Sequence, residues 1–406
     1  MKIDKYFPFA FIYFFINSLA LPFGLTYTAL LSPLFYYWVV TYRQKEILMP
    51  FFVCLAPFAI MHFIIGVDNR SYLISIFNYT AVYIFCQAFY TFLKASNDPE
   101  RIFRRILIIN FLLCIIAIPV YFSSYDGIVW MKQSLTGNID DVKRLKLFTY
   151  EASYYAILFI PLFFFYLLQL VLKQNKMNSW LLLLMLLLPF LLSFSIGVII
   201  SSMIAITLTT IFYFKKLVVK KRFISLTAIT LLFVALMLFT MFLFFPQSSI
   251  FSRVNNILLG IDTSGNGRTS DAFILAMKIL EQKSLAWGIG AGQIKILGAD
   301  IIRSYYLYDL DYNQIAIPNA VAETLTIFGY IGLFLRLLIE IVLFFYTKVW
   351  KNYYRLLLFL FIFLYQFTGS FITSTVEYVI WILAFTNTFP AFDVNRKRAA
   401  TQTVVQ

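Results

Sequence analysis

Long apolar runs separated by short polar turns organise this chain. Crossing a hydrocarbon core takes about 20 apolar residues. Runs near that length occupy 6–23, 27–41, 48–66, 72–93, 106–123, 150–172, 179–195, 197–214, 223–245, 320–346, 356–370 and 374–390. The pattern predicts an all-α polytopic membrane protein with about 12 transmembrane helices. Tight turns join the first and second spans, the seventh and eighth, and the last two. The second and eleventh spans are short and leave little room for tilt. Residues 1–245 then hold spans one to nine, with an outer loop at 124–149. Residues 246–319 form a large loop, 320–390 hold the last three spans, and 391–406 form a tail.

Composition agrees. The 406 residues are 61% hydrophobic and only 13% charged, more apolar surface than a water-soluble core hides. The amino terminus "MKIDKYFPFAFIYFF" lacks a small-residue cleavage site and reads as a retained first span. The net charge of +14 is topological in origin. With the amino terminus inside, the inner segments carry 21 of the 33 Lys and Arg residues, and the longer outer segments carry 11. This positive-inside bias places both termini in the cytoplasm, with attraction to anionic lipid as a secondary effect. The basic residues sit in short scattered loops, which argues against nucleic acid as a partner. Cys54, Cys86 and Cys114 lie in apolar runs without paired spacing, and His62 is the only histidine. Disulfides, zinc and His-cluster chemistry are therefore not expected. Arg336 and Glu340 read as an internal i,i+4 pair toward the cytoplasmic half of the tenth span. No internal repeat is evident, which weakens the duplicated transporter folds.

Every inner loop between spans has at most about a dozen residues. No cytoplasmic catalytic domain fits there. Chemistry, if present, belongs at the outer membrane face, on a substrate that lipid delivers. The stretch "TSGNGRTSDAFILAMKILEQKSLAWGIGAG" (263–292) stands out in the large loop. Gly265, Asn266 and Gly267 make a turn, and Thr269 or Ser270 caps a following helix. Phe273, Met277 and Leu280 share one side, which would lie on the membrane interface; Arg268, Asp271, Lys278 and Gln282 share another. Backbone amides, hydroxyls and the Arg268 guanidinium then converge as an anion site suited to phosphate. A solvated loop helix explains the same residues equally well. "GIGAG" (288–292) is no dinucleotide fingerprint, since Gln293 replaces the last glycine; it reads as a flexible return.

Three patches resemble the O-antigen polymerase and ligase superfamily (Wzy-type and WaaL-type): "RLKLFTYEASYYA" (144–156), "GRTSDAFILAMKILEQKSLAWGIGAG" (267–292) and "PNAVAETLTIFGYIG" (318–332). Length, span number and the late outer loop are also similar. Ligases of that superfamily carry His, then Asn, Ser or Gln, nine residues and Gly-x-x-Gly. Here Asn319, Gly329 and Gly332 fit, but Pro318 stands at the His position. The resemblance therefore favours a polymerase, with a ligase or a lipid-linked oligosaccharide flippase as rivals.

The resemblance implies a metal-independent, inverting glycosyltransferase of GT-C-like fold in a bacterial cytoplasmic membrane. It implies polyprenyl-pyrophosphate-linked oligosaccharides as donor and acceptor, a chain-length regulator as a protein partner, and no cofactor. Leaving pyrophosphate develops negative charge, which fixed cations stabilise. Arg268 is the first candidate; Arg144 and Arg303 follow. A carboxylate should orient or deprotonate the acceptor hydroxyl. Glu151 and Glu323 each sit where an outer segment enters a span, with Asp271 a rival that equally reads as a helix-dipole acid. Asn319 and Tyr154 are candidate sugar ligands, and Thr269 and Ser270 belong to the anion site. The tyrosines of "RSYYLYDLDYNQ" (303–314) are candidates for stacking on sugar faces. Its "DLD" reads as a solvated loop rather than a metal site. The first outer turn, 24–26, has no acid, unlike metal-dependent GT-C families.

Overall fold

The computed structural model describes residues 5–16, 21, 26–135, 139–175, 177–213, 266–306 and 315–395. Helices stand at eleven of the twelve expected spans. The ninth, 223–245, lies outside the described residues, as do the basic run 215–222, Gly265, "DLD" and most of the tail. In order these are α1 (Phe7–Phe15), α2 (Tyr27–Leu30) and α3 (Ser32–Arg43), then α4 (Leu48–Ile65), α5 (Asn69–Ala95) and α6 (Pro99–Val120). A hairpin of β1 (Trp130–Leu135) and β2 (Ile139–Leu145) follows. Next come α7 (Ala152–Val171), α8 (Ser179–Ser193) and α9 (Ile196–Phe212). The large loop contributes α10 (Ser270–Leu280), α11 (Ile294–Leu297) and α12 (Ala299–Tyr306). The chain closes with α13 (Ala320–Tyr346), α14 (Tyr353–Tyr365) and α15 (Thr375–Phe385). Five helices, α4, α5, α6, α7 and the α13 segment, are long and apolar enough to cross a membrane. The others are shorter apolar helices. The architecture is that of a polytopic helical membrane protein.

Helix starts follow local sequence. Asp68, Asp98, Asn178, Asn319 and Asn352 each accept an amide of the first turn of α5, α6, α8, α13 and α14. Burial then sorts the helices. Nearly every residue of α7 is buried, as suits a helix apolar on all sides at the centre of a bundle. In α4 only His62 is buried, while Ile60, Phe63 and Ile64 face outward. An outward wall of that kind needs lipid as its solvent. One core joins α1, α3 and α5–α9 with α14 and α15. A second joins α10, the 289–294 turn, α12 and the start of α13.

The all-α expectation needs one correction. Residues 130–135 and 139–145 pair as antiparallel strands of a hairpin, with Trp130 opposite Leu145 and Met131 opposite Arg144. Trp130, Leu145 and Leu147 are buried against α6 and α7, and Trp130 Nε1 donates to the Ala117 carbonyl at 2.8 Å. Lys143 pairs with Asp126 at 2.8 Å. The hairpin thus caps one end of the bundle, where α6 and α8 end and α7 begins.

The uninterrupted tenth span is also corrected. Gly329 has φ 66° and ψ −167°, a conformation in effect reserved for glycine, and breaks α13 there. In a straight helix residues 320 and 336 would stand about 24 Å apart. Instead the Arg336 guanidinium reaches the Ala320 carbonyl at 3.5 Å and Thr324 Oγ1 at 3.0 Å. Residues 320–328 are therefore a half-helix that doubles back sharply against 330–346.

The glycine-rich turn after α10 fills this break. Ile289 and Gly290 donate backbone bonds to Thr326 and Ile327, while Tyr330 and Ile331 donate to Leu285 and Ala286. A Cβ on Gly288 would stand 2.2 Å from the Ile327 carbonyl oxygen. "GIGAG" is a close-packed joint, not a flexible return. His62 locks it further. The Trp287 carbonyl only accepts, so His62 Nε2 donates to it at 2.9 Å, and Nδ1 accepts from Tyr72 Oη at 3.2 Å.

Candidate functional site

Two sequence-distant charges meet at the hairpin end of the bundle. Glu151 is the extended residue just before α7, and Arg268 lies two residues before α10. Arg268 Nη2 stands 3.2 Å from Glu151 Oε1, with the two side chains 34% and 23% exposed. The same carboxylate oxygen accepts a short bond from Ser153 Oγ. Tyr365 and Tyr150 lie within electrostatic reach of the guanidinium. Burial by itself would lower the Arg268 pKa, but Tyr365, Glu151 and Tyr150 carry the net shift upward, so it stays cationic. The result is a fixed, partly exposed cation at the bundle rim.

α10 runs over the expected residues but packs differently. Its buried stripe is Ala272, Leu275, Ala276, Ile279 and Leu280, set against the half-helix of α13. It lies on protein rather than with Phe273 and Met277 down on a membrane surface. Neither Thr269 nor Ser270 makes a side-chain cap bond to α10; Thr269 Oγ1 points back to the Asn266 carbonyl and Ser270 Oγ to Asp271. Both hydroxyls are exposed beside Arg268. Asp271 accepts from Tyr305 Oη at 3.0 Å in the first turn of the helix, consistent with a dipole acid.

Asn319, the candidate sugar ligand, spends its side chain on protein groups. It is fully buried; Nδ2 donates to the carbonyls of Arg268 (2.8 Å) and Phe367 (2.6 Å), and Oδ1 accepts from the Ala322 amide. These bonds use both N–H donors of the amide and cap the helix through its oxygen. Asn319 is instead a clasp that sets the Arg268 backbone on the start of α13. Tyr154 is likewise buried, its hydroxyl 3.1 Å from Thr375 Oγ1 and its ring 4.8 Å from that of Tyr150. It buttresses the site from within the bundle.

The remaining candidates divide. Arg144, in β2, is buried and its Nε donates to the carbonyl of Ser193, the last residue of α8, at 3.0 Å. A cation at a helix carboxyl end is a favourable structural placement. Glu323 lies one turn beyond Asn319, and its Oε2 accepts from the Ile372 amide at 2.7 Å. It faces a separate cavity with Tyr79 and Asn78. Arg303 is on α12, two residues from Tyr305; residues so spaced do not share a helix face.

Arg336 is placed differently from the expectation. The doubled-back α13 carries it to Thr324, to Gln366 at the end of α14 and to Glu377 at the start of α15, with Glu340 at 3.3 Å. These groups belong to the hairpin end, not the opposite half, and they form a network rather than a lone pair. Glu377 is an acid at the start of a span, the same signal that singled out Glu151 and Glu323. Ser153, Tyr150, Tyr365 and Gln366 carry no such signal, and only tertiary packing gathers them.

No protein-family model matches the chain, and no characterised protein matches it.

Proposed function

We propose that this chain joins polyprenyl-pyrophosphate-linked oligosaccharide units at the outer face of a bacterial cytoplasmic membrane, as a metal-independent, inverting glycosyltransferase. The observation that carries the reading is the Arg268–Glu151 pair. A guanidinium at the rim of a membrane bundle is held in place by a carboxylate, a carbonyl clasp and a packed helix.

In the proposed step the acceptor hydroxyl attacks the donor's anomeric carbon from the face opposite the diphosphate. The anomeric C–O bond breaks and its electron pair leaves on the diphosphate oxygen. Arg268 meets that developing charge, and a guanidinium binds two phosphate oxygens at once. Glu151 orients Arg268, since its Oε1 is already engaged by Arg268 and Ser153. The hydroxyl proton passes to a carboxylate, for which Glu323 is the available acid. His62 supports a polymerase over a His-dependent ligase, because both its ring nitrogens are taken by structural bonds.

The test is elongation of purified lipid-linked repeat units by the purified chain, read as a ladder on a gel. Arg268→Ala should fold normally and slow elongation at least 100-fold, the scale of removing one transition-state charge donor, about 3 kcal/mol. Arg268→Lys should recover part of it. A normal ladder from Arg268→Ala overturns the role of Arg268. No elongation by the wild type, with flipping or transfer to another acceptor instead, overturns the reading itself.

A further inference from the structure

Between the first half of α5 and the half-helix 320–328 lies a cavity of about 340 Å³. That is the lower end of the range for small-molecule sites, roughly 300–1,000 Å³. Its lining mixes polar and apolar groups. Ser75, Asn78, Tyr79, Thr373 and Glu323 supply polar atoms, and Ile315, Ile317 and Ile327 supply an apolar wall. The side-chain polar atoms of Ser75, Asn78, Tyr79 and Thr373 have no hydrogen-bond partner among the described residues. Glu323 spends Oε2 on the Ile372 amide, and its Oε1 has no partner among the described residues. Polar groups near a bilayer seek a partner, because lipid offers none.

Gly292 packs directly on Ser71 and Ser75 of α5. A Cβ there would stand 2.6 Å from Ser75 Oγ and 2.4 Å from the Ser71 carbonyl oxygen. A sugar ring has the complementary chemistry, with hydroxyls around its edge and C–H groups on its faces. The cavity offers hydroxyls, an amide and a carboxylate together with isoleucine side chains and a tyrosine ring. Among the described lining residues Lys295 is the one cation.

We infer that this cavity binds a single sugar ring of the acceptor, with Glu323 Oε1 positioned to take the proton of its attacking hydroxyl. This rests on the glycosyl-transfer reading. It adds that donor and acceptor are both held from one helical turn. The Arg268 carbonyl is bound by Asn319, and the Glu323 amide bonds to the Asn319 carbonyl at 2.8 Å. The grip on the donor diphosphate and the acid for the acceptor are thus mounted on the same rigid turn.

The experiment uses the full chain in nanodiscs, carrying Ser75→Cys. A water-soluble maleimide labels the new thiol, and peptide mass reads labelling at residue 75. The probe is the free repeat-unit oligosaccharide, released from the organism's own surface polysaccharide and lacking lipid and phosphate. Binding in the cavity should slow labelling at least fivefold, and adding Asn78→Leu should abolish that protection. Should Ser75→Cys not fold, Thr373→Cys reports on the same space. In parallel, Glu323→Gln should keep the protection yet lose at least 100-fold in elongation. Labelling at both positions indifferent to the oligosaccharide, in a chain that elongates normally, overturns the acceptor site and leaves the polymerase reading intact. Protection by the oligosaccharide in a chain that never elongates lipid-linked units keeps a sugar site and overturns the polymerase reading.

Discussion

Replacing Asn319 separates two roles that sequence alone cannot distinguish. The side chain is fully buried and makes three bonds, to the Ala322 amide and to the carbonyls of Arg268 and Phe367. In Asn319→Ala the helix loses its amino-terminal cap, worth about 1 kcal/mol. Two backbone carbonyls also lose their donor, each at a cost of about 1–2 kcal/mol when left buried. The expected destabilisation is about 3–5 kcal/mol. Asn319→Ser retains an oxygen that caps but donates to at most one carbonyl, so it should recover about 1–2 kcal/mol. Denaturation in detergent micelles, followed by tryptophan fluorescence, measures both. Hydrogen exchange should quicken around residues 266–272, because Arg268 loses its attachment to α13. Were Asn319→Ala as stable as the wild type to within about 0.5 kcal/mol, the clasp would carry no weight. If it then bound acceptor more weakly, Asn319 would be a sugar ligand after all.

Other outcomes follow from the same geometry. Gly329→Ala places a Cβ 2.3 Å from the Ala286 carbonyl oxygen in a conformation few side chains adopt, so the half-helix joint should not form; loss of folded protein on size-exclusion chromatography checks it. Arg336→Leu leaves Glu340 and Glu377 buried without their cation and should cost about 3–5 kcal/mol, and a combined Arg336→Leu, Glu377→Gln variant should recover part of that in the same denaturation assay. Lys143 bonds to the Asp126 carboxylate and holds its pKa below the ordinary 3.8. A depressed carboxylate pKa stabilises the fold above the unfolded value and loses that contribution as pH falls through the folded one. Exchange of the β1 and β2 amides should therefore accelerate below about pH 3.8 in the wild type, relative to the pH-matched intrinsic rate, and much less in Asp126→Asn.

Sequence patterning determined the solvent of this protein and the position of its helices. Apolar runs long enough for a bilayer have no other stable state, and the Asp and Asn residues that start them act within one helical turn. It also brought forward Arg268 and Glu151, because a cation in a polar loop and an acid at the start of a span stand out against an apolar background. Their meeting, 117 residues apart in the chain, came only from packing. So did the doubled-back α13: the apolar period runs through Gly329 without a break, and only its fit against Ala286 and Gly288 turns the chain. The roles of Asn319 and Tyr154 likewise depended on which groups were left to bond them once the helices had closed. Local rules act over a few residues, whereas burial and partner choice depend on what the fold brings to each side chain, and only the tertiary structure decides that.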